Sequence, residues 1–385
     1  MKTRAQRLAA ACVIALVVAG LLVVTLQSSL ARRSADFTID YSAALLIREG
    51  HPDAIYDQAR LGPLMLSISD GAIDPRLPYD APLAMALPYV PLTFLPLEAA
   101  FHVWQVITIA LLALALWLLA GWMPLGRRAP LMGAVALFGL PATWALLSEG
   151  QSSAMLLLGS VLLLGAWQRG SMPLAFTGGL LLAMKPQYVP AFLIILLAAR
   201  AWRPLLAALI GCVVVGLSPL LAGGVHGMSA MVWSALDAGQ GVIRYNESLI
   251  ATLAPFLPGS WATFVGFGLW ALVLIAMTWL AITRPQPALA GAALATSAGL
   301  IFAPHALPYD LVLITVPVWL AYALYRRGEI PTPVPAALAI AAAMVLDLGS
   351  HFINLAPVVM LACLAIYTAL WLRRRPAMRR VSAAA

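Results

Sequence analysis

Long apolar runs separated by short polar breaks dominate the chain. They predict helical spans at 8–27, 101–120, 129–147, 152–168, 172–184, 187–200, 204–222, 262–283, 286–302, 307–325, 331–348 and 355–372, so about 12 transmembrane helices with a range of 10–13. The pair 172–184 and 187–200 is short for a bilayer core of ~30 Å and reads as two short helices joined near one face. Two connections break the rhythm, 28–100 and 223–261. Long connections in a tight bundle usually carry function or are disordered. The first is rich in aromatics and leucine, which predicts order.

Within that first loop, "DFTIDYSAALLIREG" starts as a short amphipathic helix: Tyr41, Ala44, Leu45 and Arg48 follow helical spacing and Gly50 suits a C-terminal cap. "DAIYDQARLGPLM" reads as a second short helix. The following stretch carries prolines at 78, 82, 88, 91 and 96. Proline-broken apolar sequence does not make one clean span, and it reads as re-entrant or interfacial structure lining a cavity.

Composition agrees with the pattern. The chain is 63% hydrophobic and 10% charged, where a soluble domain carries about 25% charged residues. We read 1–385 as a single all-α polytopic membrane domain, with 28–100 and 223–261 as extracytoplasmic loops. The N-terminal run resembles a signal peptide, but no A-x-A site follows it, so it is taken as an uncleaved span. Cys12, Cys212 and Cys363 lie in apolar segments with no CxxC spacing, which points to neither a zinc site nor a disulfide framework.

Charge gives the sidedness. Threading the spans alternately places 16 of the 23 Lys and Arg on one side, including Arg373, Arg374, Arg375, Arg379 and Arg380. By the positive-inside rule that side is cytoplasmic, with both termini inside. The net charge of +8 therefore marks span ends and not a nucleic-acid partner. Fourteen of the 15 Asp and Glu fall outside, all but Glu329. Acids contribute little to insertion, so a solvated outer surface and an extracytoplasmic active site both stand as explanations.

The order of several motifs carries a resemblance. An Asp-Phe pair after the first span, "YSAALLIREGHPDAIYD", "YDAPLAMALPYVPL", "SEGQSSAMLL", "AMKPQYVPAFLIILLAARAWRPLL", "NESLIATL" and "FAPHALPYDLVLI" together resemble glycosyltransferase family 87, the polyprenol-phosphate-dependent, α-mannosyltransferase-like group of the GT-C membrane glycosyltransferases. The resemblance spans nearly the whole chain. Where members of that group often carry Asn after the Gly-Gln pair, Ser152 and Ser153 follow Gln151 here. The resemblance implies a GT-C fold and a catalytic acid in the first outer loop, a position that Asp36 matches. It also implies a polyprenyl-phosphate sugar as donor and a glycolipid or glycan as acceptor, met at the outer face of the inner (plasma) membrane among membrane lipids.

The chemistry of individual residues fits those roles, each against a plainer reading. A sugar hydroxyl is a poor nucleophile at neutral pH, and a placed carboxylate that takes its proton contributes roughly 10²–10⁴-fold. Asp36 is the first candidate and Asp40, one helical turn on, the second; solvated interfacial acids are the alternative. Lys185, in "MKPQ", lies outside against the charge trend, as a lipid-phosphate ligand or a snorkelling lysine. Arg244 and Arg76 are further phosphate candidates. His305, Tyr309 and Asp310 in "APHALPYD" stand at an outer span end, where an ionisable residue usually faces a cavity or a partner. His305 would bind the donor phosphate or the acceptor. Gln151 would bond sugar hydroxyls or serve as a polar cap. Trp104, Trp202 and Trp233 lie near span ends, as an interfacial belt requires.

No second His or Cys completes a metal pattern, and no nucleotide-binding signature is present, so no cofactor is expected and a lipid-delivered donor fits. The leading expectation is an inverting hexosyltransferase, with mannose the first sugar to consider. A transporter or flippase of a lipid-linked saccharide is the alternative. Few ionisable residues lie mid-span and no inverted repeat is visible, both unlike that class. A non-catalytic membrane scaffold is the third reading.

Overall fold

The computed structural model describes residues 34–122, 133–134, 137–241, 256–257, 261–283, 295–300, 302–303, 306–326 and 328. Among these every regular element is helical. In chain order they are α1 (Ala35–Arg48), α2 (Gln58–Ile68), α3 (Leu83–Ala86), α4 (Leu97–Trp122), α5 (Pro141–Glu149), α6 (Ser153–Arg169), α7 (Met172–Leu182), α8 (Val189–Ala198), α9 (Trp202–Gly216), α10 (Gly224–Gly241), α11 (Trp261–Thr283) and α12 (Thr315–Arg326). Tight 3-10 turns stand at Pro52–Ala54, Leu87–Phe94, Pro186–Tyr188, Ser218–Ala222 and Pro308–Ile314, each with proline in its first two positions. The expected spans 8–27, 331–348 and 355–372 lie outside the described residues, as does most of 286–302.

Two described segments are long and apolar enough to cross a bilayer, Leu97–Trp122 and Trp202–Ala222. Their outward faces are apolar as well. On α9, Leu206, Ile210, Val213, Val214 and Leu217 recur at helical spacing and all are exposed; Val106, Leu114 and Trp117 do the same on α4 and Leu272, Ile275, Trp279 and Ile282 on α11. In water such stripes are a liability, and against lipid they cost nothing. The expected span 129–147 is divided: residues 137–138 are helical, and Leu140 is extended before Pro141 opens α5. A residue before proline is biased out of the α region, which favours a break there. The same rule divides 172–200, where Lys185 is extended ahead of Pro186.

From residue 34 onward the first loop is ordered, and α1 is its centre. Ser34 caps the helix by accepting from Phe37 N. At the other end Gly50, at φ 84°, lets Gly50 N reach Ile47 O and His51 N reach Leu46 O, the left-handed exit that sequence spacing predicts. The helix is not an amphipathic surface element, however. Phe37, Thr38, Ser42, Ala43 and Ala44 are all wholly buried, because α2, α3, α4, α5 and the 87–94 turn pack round it. Phe37 lies 5.1 Å edge-on to Phe101 and 5.8 Å from Tyr89, and Tyr89 stacks 4.1 Å from Trp104. Trp104 is therefore core and not part of a belt, whereas Trp202 and Trp233 are exposed as a belt requires. The loop, far from lying on the membrane domain, is bolted into it through α4.

Candidate active site

The site forms where α1, α5 and the 308–314 turn converge. Its local cause is Gly150. This residue ends α5 in the left-handed conformation (φ 63°), and Gln151 N closes the exit on Leu146 O at 3.1 Å. A Cβ at Gly150 would stand 2.8 Å from Phe37 Cβ and 3.0 Å from Phe101 Cε2, so only glycine lets α5 come this close to α1. Ser34 Oγ then donates to Glu149 O at 2.6 Å, and Tyr89 OH reaches Gly150 O at 3.4 Å. The start of α1 and the end of α5 are thus tied together, and Asp36 and Gln151 meet.

Asp36 occupies the first turn of α1 and is half-buried. Burial raises its pKa above the ordinary carboxylate range; Gln151 and Tyr309, within hydrogen-bonding reach, and the charge of Lys185 pull the other way. The helix N-terminus also favours its ionised form. Asp40 has a different fate. It is buried beside Tyr89, and burial holds its carboxyl well above the usual range, with the charges of Asp36 and Asp80 adding to the effect. Two acids a turn apart are thus both raised by burial, Asp40 more strongly than Asp36, which has the nearby Lys185 charge and two hydrogen-bonding neighbours on its side.

Two further acids face Asp36. Asp80 is open to solvent yet ringed by protein, the mark of a residue lining a recess. Desolvation and then Asp36 push its pKa up to about 6. Glu149, half-buried, is raised to about 7 by desolvation and then by Asp36.

Behind these acids stands an ion pair. Lys185 Nζ lies 2.7 Å from Asp310 Oδ1, with Lys185 largely covered and Asp310 wholly buried. Asp310 also accepts from Ser153 Oγ at 2.5 Å, Tyr188 OH at 3.0 Å and Leu307 N at 3.2 Å. Lys185 Nζ lies 4.5 Å from the centre of the Tyr309 ring. The expected candidates Asp36, Asp40, Gln151, Lys185, Tyr309 and Asp310 therefore come together. Arg76 does not join them: it is exposed and forked onto Asp74, at 2.8 and 3.0 Å. Arg244 and His305 lie outside the described residues. Sequence reasoning did not single out Asp80, Ser153 or Tyr188. The signal for Asp80 was an acid inside a proline-rich apolar stretch, and for Tyr188 its place three residues after the extended Lys185.

Four carboxyls, a glutamine and a tyrosine around a recess beside apolar helices suit hydroxyl-rich substrates: carboxylates and amides accept from and donate to sugar hydroxyls, and one ionised acid can take a proton. The chain belongs to glycosyltransferase family 87, whose model matches residues 81–308. It is therefore a glycosyltransferase. No curated protein matches the chain. The matched segment contains Glu149, Gln151, Ser153, Lys185 and Tyr188; Asp36, Asp40 and Asp80 precede it and Tyr309 and Asp310 follow it.

Proposed function

We propose that the chain transfers a hexose, mannose being the first to test, from a polyprenyl-phosphate sugar to a lipid or glycan acceptor at the outer face of the inner membrane. The acceptor oxygen attacks the anomeric carbon from the side opposite the phosphate. Its proton passes to Asp36, the bond from the anomeric carbon to the phosphate oxygen breaks, and polyprenyl phosphate leaves, so the configuration inverts. The observation that carries this reading is the placement of Asp36: it is half-buried at an acid-lined recess, its pKa raised, with Gln151 and Tyr309 within hydrogen-bonding reach of its carboxylate. A carboxylate with a raised pKa is a stronger base once ionised. Because the family match starts after Asp36, its role rests on this geometry.

The recess is acidic, so it favours the acceptor and the sugar over the donor phosphate. Lys185 is already shared with Asp310, which leaves Arg244 and His305 as the phosphate ligands under this reading. A cationic side chain at the leaving phosphate stabilises the charge that develops there.

The test is sugar transfer from radiolabelled polyprenyl-phosphate-mannose to a membrane extract by the purified chain in proteoliposomes. Wild type transfers, and a folded Asp36→Asn variant loses about 10²–10⁴-fold. Wild-type rate also rises with pH through the raised pKa of Asp36, since the protonated acid cannot act as base. Equal rates in the two proteins exclude Asp36 from the chemistry. Movement of an intact lipid-linked saccharide across the vesicle, with no transfer, would replace this reading with the flippase one.

A further inference from the structure

The Lys185–Asp310 pair has no part in the transfer step above, yet it is the most heavily built polar feature among the described residues. Asp310 comes from the 308–314 turn, Ser153 from the start of α6, Tyr188 from the 186–188 turn and Lys185 from the extended residue before it. Four donors from four places converge on one carboxylate that no solvent reaches. All of its accepting capacity is used inside the protein, so Asp310 has none for a substrate. Lys185 is held differently. Its ammonium donates to Asp310 Oδ1 at 2.7 Å and to Ser153 Oγ at 3.4 Å and lies over the face of Tyr309, whose hydroxyl is within hydrogen-bonding reach of Asp36.

We propose that Asp310 is a positioning residue for the transfer reaction: it anchors Lys185 against the Tyr309 ring, so that the ammonium faces the acids of the recess and Tyr309 is held on the Asp36 carboxylate. The proposal rests on Asp36 being the base. The groups that face Asp36 are Asp40 on its own helix, Asp80 from the preceding loop, Tyr89 from the 87–94 turn, Glu149 from α5, and Tyr309 and Asp310 from the 308–314 turn. Asp40, Asp80 and Glu149 repel a charge on Asp36 whenever they ionise, and Lys185 is the described cation that acts on Asp36, Asp40 and Asp80 alike. An untethered lysine would swing toward water, where its charge is screened. The anchor keeps that charge where the acids need it.

The test reads the protonation of Asp36 directly. A membrane-permeant carbodiimide reacts with protonated carboxyls, and fragment masses of the labelled peptide separate Asp36 from Asp40. Labelling of the full chain is followed against pH in wild type, Lys185→Met and Asp310→Asn. Lys185→Met moves the Asp36 midpoint up by about one unit, the loss of a nearby opposite charge. Asp310→Asn is the decisive variant. It nearly preserves shape and removes one negative charge, which by itself would move the midpoint down. If the anchor is what keeps Lys185 in place, the midpoint instead moves up. A midpoint that falls or stays in Asp310→Asn overturns the proposal, as does an unchanged midpoint in Lys185→Met. In transfer assays Asp310→Asn lowers kcat about tenfold with donor KM within about threefold. A raised donor KM with unchanged kcat would make Lys185 a donor ligand and overturn the proposal from the other side. Labelling needs neither donor nor acceptor, so a wrong donor in the transfer reading leaves this test standing.

Discussion

Asp36 and Asp310 both act on Tyr309, the first through its hydroxyl and the second as its chain neighbour, and their surroundings differ in kind. Asp310 is wholly buried, paired with Lys185 and bonded by Ser153, Tyr188 and Leu307 N. Asp36 is half-buried, has Gln151 and Tyr309 as its partners, and looks at Asp40, Asp80 and Glu149, acids that burial raises as it raises Asp36. One carboxylate has every lone pair committed to the fold. The other has been left with capacity to take a proton. A saturated acid is architecture, whereas an under-compensated acid at a recess is poised for chemistry. The contrast also says where disruption should hurt most: folding on the Asp310 side, which reaches rate and pH dependence only through Lys185, and the chemistry itself on the Asp36 side.

The largest effect on folding therefore belongs to the ion pair. Lys185→Met leaves the Asp310 charge buried without its cation, and removing one partner of a buried pair costs about 3–5 kcal/mol. The double variant Lys185→Met with Asp310→Asn removes both charges and should recover most of that loss. Thermal unfolding of the four proteins in one detergent checks it. If the single and double variants lose the same amount, the pair is not balanced in the way its burial implies. An Asp36→Asn variant should, by contrast, unfold no lower than wild type, because it removes a carboxylate surrounded by like charge.

Glu149 gives a subtler form of the same contrast. Its pKa is raised to about 7 by burial and by Asp36, against 4.5 ordinarily. The folded state thus favours its protonated form. The stability it contributes is complete below about 4.5 and is lost as pH rises through about 7. Glu149→Gln removes that dependence: the variant should match wild type near pH 5 and melt about 1–3 °C higher near pH 8. It also takes a like charge away from Asp36, so the rising limb of the transfer profile should move to lower pH. A limb that moves up would mean that Glu149 assists ionisation of Asp36 and does not oppose it.

How much of this was written in the sequence depends on the range of the contact. The exit of α1 at Gly50 and the breaks before Pro141 and Pro186 follow from local backbone rules and are readable from neighbouring residues. So is the presence of an acid just past the first apolar run. The anchor of Lys185 is not, because Asp310 is 125 positions away and Ser153 157 positions from Asp310. No period or motif links them. An unpaired phosphate-binding lysine and a paired positioning lysine have the same sequence, "MKPQ". Trp104 shows the same limit: residues near a span end look alike whether they face lipid or, as here, Tyr89. Asp80 went unassigned because the 71–82 stretch has no periodicity on which to place it, and its role comes wholly from what surrounds it.

The smallest effect is expected at Arg76, and it is the sharpest check on where the site ends. Sequence alone made Arg76 a phosphate candidate. The structure spends its guanidinium on Asp74, two residues away, with 88% of its side chain open to solvent. Exposed pairs of this kind are screened by water and contribute little. Arg76 holds the Asp74 carboxyl at about 2. A depressed acid contributes its stability above the ordinary value of 3.8, and that stability is lost as pH falls toward about 2, so at neutral pH the contribution is present but screened. Arg76→Ala should leave the melting temperature within about a degree at pH 7 and donor KM within about twofold. A KM raised tenfold or more would mean that the 71–82 stretch folds over the bound donor and brings Arg76 to its phosphate. The acid recess would then be open only while the site is empty, and the separation drawn between a proton-accepting Asp36 side and a fixed Asp310 side would have to include a third, mobile wall.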